Sequence, residues 1–121
     1  MSLPTKQRIR HPAEFRRVFA CGRRVSSEFV NVVVLTNDLP YPRVGLSVSK
    51  RVGGAVVRNL VKRRIRNSFA EMNLNSGWDI VVTARPQASE VSFTELDRAI
   101  KKSIERAGVN LTEIRESGVA I

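Results

Sequence analysis

Apolar positions recur along the 121-residue chain with two periods. Phe15, Val18 and Phe19 stand at i, i+3 and i+4, between Pro12 and Gly22. That spacing predicts a helix opened by Pro12 and stopped by Gly22. Val25 to Thr36 is rich in β-branched residues and reads as extended. Asn37, Asp38, Pro40 and Pro42 supply a turn. Arg43 to Ser49 then alternates, with Val44, Leu46 and Val48 inward and Gly45, Ser47 and Ser49 outward. These two extended segments are expected to form an antiparallel pair.

Beyond Gly53-Gly54 the period returns to that of a helix. At about 100° per residue, Val57, Leu60, Val61, Ile65, Phe69 and Met72 share one face. The helix is expected to end near Met72, before Asn73, Asn75, Ser76 and Gly77. Trp78 to Ala84 predicts a strand, halted by Arg85-Pro86. Ser92 and Glu95 form a capping box ahead of Phe93, Leu96, Ile100 and Ile104, and Gly108 supplies the stop. Asp97 and Lys101 make an i, i+4 pair on this last helix. The element order is α-β-β(-β)-α-β-α. It predicts an α+β fold: one α-β sandwich domain over residues 1–121, with a central, mostly antiparallel sheet and three helices. Residues 1–11 are expected to be a flexible basic arm, either a frayed terminus or an auxiliary RNA contact, and residues 109–121 a tail.

The polar side of the middle helix changes the picture. Arg58, Lys62 and Arg66 follow one another at i, i+4 and i+8, with Asn59 and Arg63 in a second row. From Leu39 to Ala70 there are eight Lys or Arg and no Asp or Glu. Solvated helix faces usually mix signs, because like charges at i, i+4 repel by a few tenths of a kcal/mol. Here no acidic neighbour relieves that repulsion; a polyanion would. The net charge is +10, and residues 1–70 carry +12 against −2 in residues 71–121. The basic field therefore belongs to the first half, and such a field attracts phosphate.

Other chemistry is poorly supported. Cys21 is the only cysteine and His11 the only histidine. No internal disulfide, zinc cluster or Ser-His-Asp set can be assembled from them. A metal-dependent nuclease needs converging carboxylates. The basic half offers only Glu14, Glu28 and Asp38, each in a different element. Gly53-Gly54 reads either as a plain turn or as a phosphate cradle on free backbone N–H groups. It is not a P-loop, since no Gly-Lys-Ser or Gly-Lys-Thr follows. No apolar run approaches the roughly 20 residues that span a bilayer, and no secretory signal is expected. The reading is of a cytoplasmic nucleic-acid binder with no catalytic residue, no metal site and no small-molecule substrate of its own.

The string SVSKRVGGAVVRNLVKRRIR resembles the signature of the bacterial ribonuclease P protein subunit, whose helix reads Arg-Asn-x-x-Lys-Arg-x-x-Arg. Arg58-Asn59, Lys62-Arg63 and Arg66 supply all five positions. RVGLSVSK from Arg43 to Lys50 and the amino-terminal EFRRVFACG fit as well, and the likeness runs over most of residues 8–106. The resemblance implies a subunit of a ribonucleoprotein endoribonuclease that removes the 5′ leader from precursor tRNA. It also implies that the RNA partner holds the catalytic magnesium ions.

On that resemblance, Lys50, Arg51, Arg58, Asn59, Lys62, Arg63 and Arg66 would contact the ribonuclease P RNA. Phe15 and Phe19, which pattern alone would assign to the core, would also wall a cleft for the single-stranded leader. Val32 would face the same cleft, where relatives often carry a tyrosine. The family often has Asn at the position of Gly54, and glycine caps a helix nearly as well. The strand-helix-strand crossover would be left-handed, against the usual rule. The alternative is a general RNA-binding or ribosomal-type protein without a catalytic partner.

Overall fold

The computed structural model describes residues 4–109. Three helices and four strands follow in the order α1 (Pro12–Cys21), β1 (Arg23–Ser26), β2 (Val30–Thr36), β3 (Arg43–Ser47), α2 (Ala55–Ala70), β4 (Trp78–Ala84) and α3 (Phe93–Ala107). The α+β class and the three-helix sandwich are as expected. The extended segment from Val25 to Thr36 divides into two strands, because Ser27 to Phe29 turn the chain back. The Ser27 hydroxyl donates to the Val30 carbonyl at 2.9 Å and closes that turn.

The sheet order is β1-β2-β4-β3. β1 with β2 and β2 with β4 are antiparallel, whereas β3 with β4 is parallel. The expected antiparallel pairing of β2 with β3 is therefore wrong: β4 lies between them. The reason can be read in the side chains. Asp79 to Val82 are all buried, as in a strand covered on both faces with neighbours on both edges. The Arg43–Ser47 strand instead takes the edge. The α2 crossover returns the chain in the same direction, which makes β3 and β4 parallel.

The two faces close differently. Val30, Val32 and Val34 of β2, Ile80 and Val82 of β4 and Val44 of β3 pack with Val61, Ile65 and Phe69 of α2 and Leu96, Ile100 and Ile104 of α3. On the opposite face α1 contributes Val18 to a small cluster with Ile9, Val33 and Val81, edged by Phe15 and Leu35. The residues of β3 expected to face outward, Gly45 and Ser47, thus lie on the α1 side. A Cβ on Gly45 would stand 2.9 Å from the Phe15 ring, so glycine permits that ring to lie on the strand. Gly22 permits a similar approach: a Cβ there would sit 2.7 Å from Val33 Cγ1.

The middle helix is capped at Gly54 without a side-chain bond and ends at Ala70, two residues short of Met72. Its buried face is narrower than the pattern suggests, since Val57 remains 37% exposed. α3 carries the full capping box at Ser92 and Glu95, and Gly108 closes it in the left-handed conformation (φ 75°). Part of the expected arm is packed. Ile9 is 4% exposed, and its N–H donates to the Val44 carbonyl at 2.9 Å, beside a parallel bridge between Arg8 and Val44. A charge-based reading overlooked the apolar Ile9, which has a place against Val33 and Val81. Of the expected tail, Val109 is buried and its carbonyl accepts the Asn75 N–H at 2.8 Å; residues 110–121 lie outside the described part.

Candidate RNA interface

One turn after β3, Lys50 and Arg51 are exposed in the loop that leads to Gly54. α2 then presents Arg58, Lys62 and Arg66 one helical turn apart. Asn59, Arg63 and Arg66 are exposed; Arg58 and Lys62 are half-buried along their stems. None of these side chains takes part in an ion pair among the described residues. Arg58 Nε is shielded and has no hydrogen-bond partner. Arg64, which falls outside the two expected rows, instead ties the helix to the scaffold by donating from Nη1 to the Val91 carbonyl at 3.1 Å. Among the described residues no carboxylate neutralises the comb.

The comb does not end at the helix. Lys62 and Arg66 form one wall of a cavity of about 260 Å³ whose apolar floor includes Ile9, Val44, Leu46 and Phe69, with Arg10 at its rim. Arg10 and Leu46 also line a second, more open cleft of about 390 Å³, walled by Pro12, Phe15, Arg16 and Phe19 and floored by Ser47. Phe15 is half-buried and Phe19 is 38% exposed. Their ring centroids are 6.4 Å apart, the planes tilt by 34°, and both residues line the cleft.

Val32 is not part of this cleft. It is fully buried on the other face, among the α2 and α3 side chains. Strand residues alternate faces, so a one-residue phase difference decides the matter. Asn31 and Val33 occupy the α1 side instead. Register then reveals a polar row that pattern reading missed. Ser26 pairs with Asn31, Asn31 with Thr83 and Thr83 with Ser47, across all four strands. Asn31 Oδ1 is buried and has no hydrogen-bond partner. Isolated Ser, Thr and Asn in strands carry little signal in sequence; only strand order assembles them.

A second missed group is ionic. Asp79 is inaccessible to solvent, and Arg43 grips it with Nε to Oδ1 at 2.9 Å and Nη2 to Oδ2 at 2.7 Å. The Asn37 side-chain amide donates to Oδ1 at 2.8 Å. Arg43 Nη1 reaches Glu14 Oε2 at 2.8 Å. The hydrogen bond from Arg43 holds the Glu14 carboxyl below its ordinary range, against some loss of solvation. The same partners push the Arg43 guanidinium upward, Asp79 first. Among the described residues no three His, Cys, Asp or Glu cluster so as to hold a metal ion, and no helix is long and apolar enough to cross a membrane.

Fold and surface together define a small basic α+β protein of the kind that partners a structured RNA. Comparison with known proteins makes this specific. The Ribonuclease P family profile matches residues 3–108. The ribonuclease P protein component of Bacillus cereus is 38% identical over 107 residues, covering 86% of this chain and 93% of that protein. That of Clostridioides difficile is 31% identical over 106 residues, covering 85% and 93%. Among solved structures, the Staphylococcus aureus RNase P protein superposes with a TM-score of 0.79 at 31% identity, covering 85% of this chain and 96% of that one. The Thermotoga maritima protein gives 0.75 at 30%, covering 82% and 96%. The chain belongs to the ribonuclease P protein family, the protein subunits of the ribonucleoprotein endonuclease of tRNA processing.

Proposed function

We propose that α2 seats this subunit on the ribonuclease P RNA while the Phe15–Phe19 cleft holds the single-stranded 5′ leader of precursor tRNA. The carrying observation is the continuity of the two surfaces. Lys62 and Arg66 lead into the first hollow, and Arg10 and Leu46 belong to both hollows. Arg58, Lys62, Arg63 and Arg66 meet phosphates, extended by Lys50 and Arg51. Asn59 adds directional hydrogen bonds where another cation would repel its neighbours. The aromatic rings stack on leader bases without choosing sequence, a contact worth about 1–3 kcal/mol per base. Ser47, Thr83 and Asn31 offer hydroxyl and amide groups to single-stranded RNA on the same sheet face, in the place assigned to Val32.

The bond-breaking chemistry, with its magnesium ions, belongs to the RNA. The protein lowers the electrostatic cost of bringing two polyanions together and holds the leader in line. This activity suits the cytoplasm, where tRNA precursors are processed. The test is reconstitution. Added to a ribonuclease P RNA at low magnesium, the protein should accelerate leader removal from a precursor tRNA. Processing no faster than by RNA alone would reject the reading and favour a general RNA binder.

A further inference from the structure

The leader cleft depends on a helix held by a small apolar patch and by a long ion pair, with Arg17 Nη1 3.9 Å from Asp79 Oδ2, beyond hydrogen-bond reach. α1 packs through Val18, with Phe15 at the edge, on Ile9, Val33 and Val81. Apolar contact is non-directional, so a patch this small fixes how close the helix lies better than how it is rolled or tilted. Charge-assisted hydrogen bonds are directional, and one set of them joins α1 to the sheet. Arg43 and Asp79 are register partners on adjacent parallel strands. The buried Asp79 carboxylate takes Arg43 Nε and Nη2 at 2.9 and 2.7 Å, while Asn37 occupies Oδ1 from the side. The guanidinium is thereby held in one plane. Its remaining Nη1 faces the helix, where Glu14 Oε2 meets it at 2.8 Å.

We propose that Arg43 and Glu14 form a latch that sets the orientation of α1 and so places the Phe15–Phe19 wall of the leader cleft. Both are positioning residues for leader binding, and the proposal rests on the leader-cleft reading above. Glu14 immediately precedes Phe15 in the helix. Gly45, on which the Phe15 ring lies, is two residues beyond Arg43 on the same face of β3. The ionic and aromatic contacts therefore join the same stretch of helix to the same stretch of strand. A carboxylate in the first turn of a helix already suits its dipole. That does not call for a bond to a guanidinium whose other nitrogens are committed to a buried partner. Glu14 is the accessible member, with its side chain 32% exposed, and its loss leaves the Arg43–Asp79 pair intact.

The experiment uses the full chain reconstituted with ribonuclease P RNA. It compares affinity for a precursor tRNA carrying a short single-stranded leader with affinity for the leaderless tRNA. Glu14→Ala should lower that ratio by about tenfold, the equivalent of one modest hydrogen bond. Affinity for the RNA subunit and for leaderless tRNA should not change. Glu14→Gln, which still offers Nη1 an acceptor, should restore most of the ratio. Phe15→Ala is measured in parallel. If Phe15→Ala lowers the ratio and Glu14→Ala does not, the latch is overturned and the cleft stands. If neither lowers it, the leader-cleft reading itself falls. Equal losses for both tRNAs with Glu14→Ala would make the pair merely structural and also overturn the proposal.

Discussion

α2 and α3 pack side by side on one face of the same sheet, yet they are built on opposite principles. α3 has a capping box at Ser92 and Glu95, a left-handed glycine at its end and the Asp97–Lys101 pair at 3.1 Å. α2 has a bare Gly54 cap, no acid in its first turn, no base in its last and no ion pair among the described residues. Both bury large apolar side chains, with Ile65 and Phe69 in one and Leu96, Ile100 and Ile104 in the other. Packing against the sheet holds α2 in place despite a surface that opposes it. Devices that stabilise a helix are thus concentrated on α3. On the proposed reading they are withheld from α2 because a polyanion supplies the missing countercharge.

The strongest way to break this comparison is to remove the comb. Arg58→Ala, Lys62→Ala and Arg66→Ala together should flatten the plot of log affinity against log salt by about 2–3 units, since each phosphate contact contributes roughly 0.7–0.9. Replacing the exposed Arg98 and Lys102 of α3 should leave that slope unchanged. An identical response from both helices, read by filter binding across a salt series, would show that charge sign and place do not matter.

Next comes the cap. Ser92→Ala removes the acceptor for the Glu95 N–H at 3.2 Å and should cost about 1 kcal/mol of stability, with RNA affinity intact. Thermal unfolding should register it as a midpoint roughly 4 °C lower. The mirror experiment gives α2 what it lacks. Ala55→Asp places a carboxylate in its first turn and should raise stability by about 0.3–1 kcal/mol through the helix dipole. RNA binding should weaken at the same time, because the new charge faces the same phosphates. Gain in both properties would contradict the division of labour.

The smallest effects lie in pH. Glu14 is held below its ordinary value of 4.5 by Arg43, so its stabilising contribution is present above that value and fades as pH falls through the depressed one. Lys101 is shifted the opposite way by Asp97, with a smaller part from Glu71. Its contribution is present below the unfolded value near 10.5 and is lost as pH rises through the higher folded one. Asp97→Asn should weaken the alkaline dependence, leaving the smaller part due to Glu71, and leave the acid one unchanged; urea midpoints at the two ends of the pH range would show it.

Local pattern carried much of this protein. α1 runs over Pro12–Cys21 with Gly22 as its cap, β4 over Trp78–Ala84 and α3 between Ser92 and Gly108, as their periods and caps predict. The cationic row of α2 was equally legible, because a helix maps spacing directly onto a face. Such features depend on residues a few positions apart, and their physics is complete within one or two turns of chain.

What tertiary structure alone decided depends on partners far apart in sequence. β4 enters between β2 and β3 because it can be buried on both faces, a property relative to strands whose register partners lie 36 or more residues away. Val32 faces the core because the β1–β2 turn and the pairing with Val82 set its parity, and one residue of slip would reverse it. Asp79 reads as an ordinary charge in an apolar strand until folding brings Arg43 alongside. Ile9 reads as part of a basic arm until β3 offers it a carbonyl. Sequence wrote the helices and their charges; the pairing of distant strands determined which side chains share a surface, because register is a relation between segments and no segment contains it.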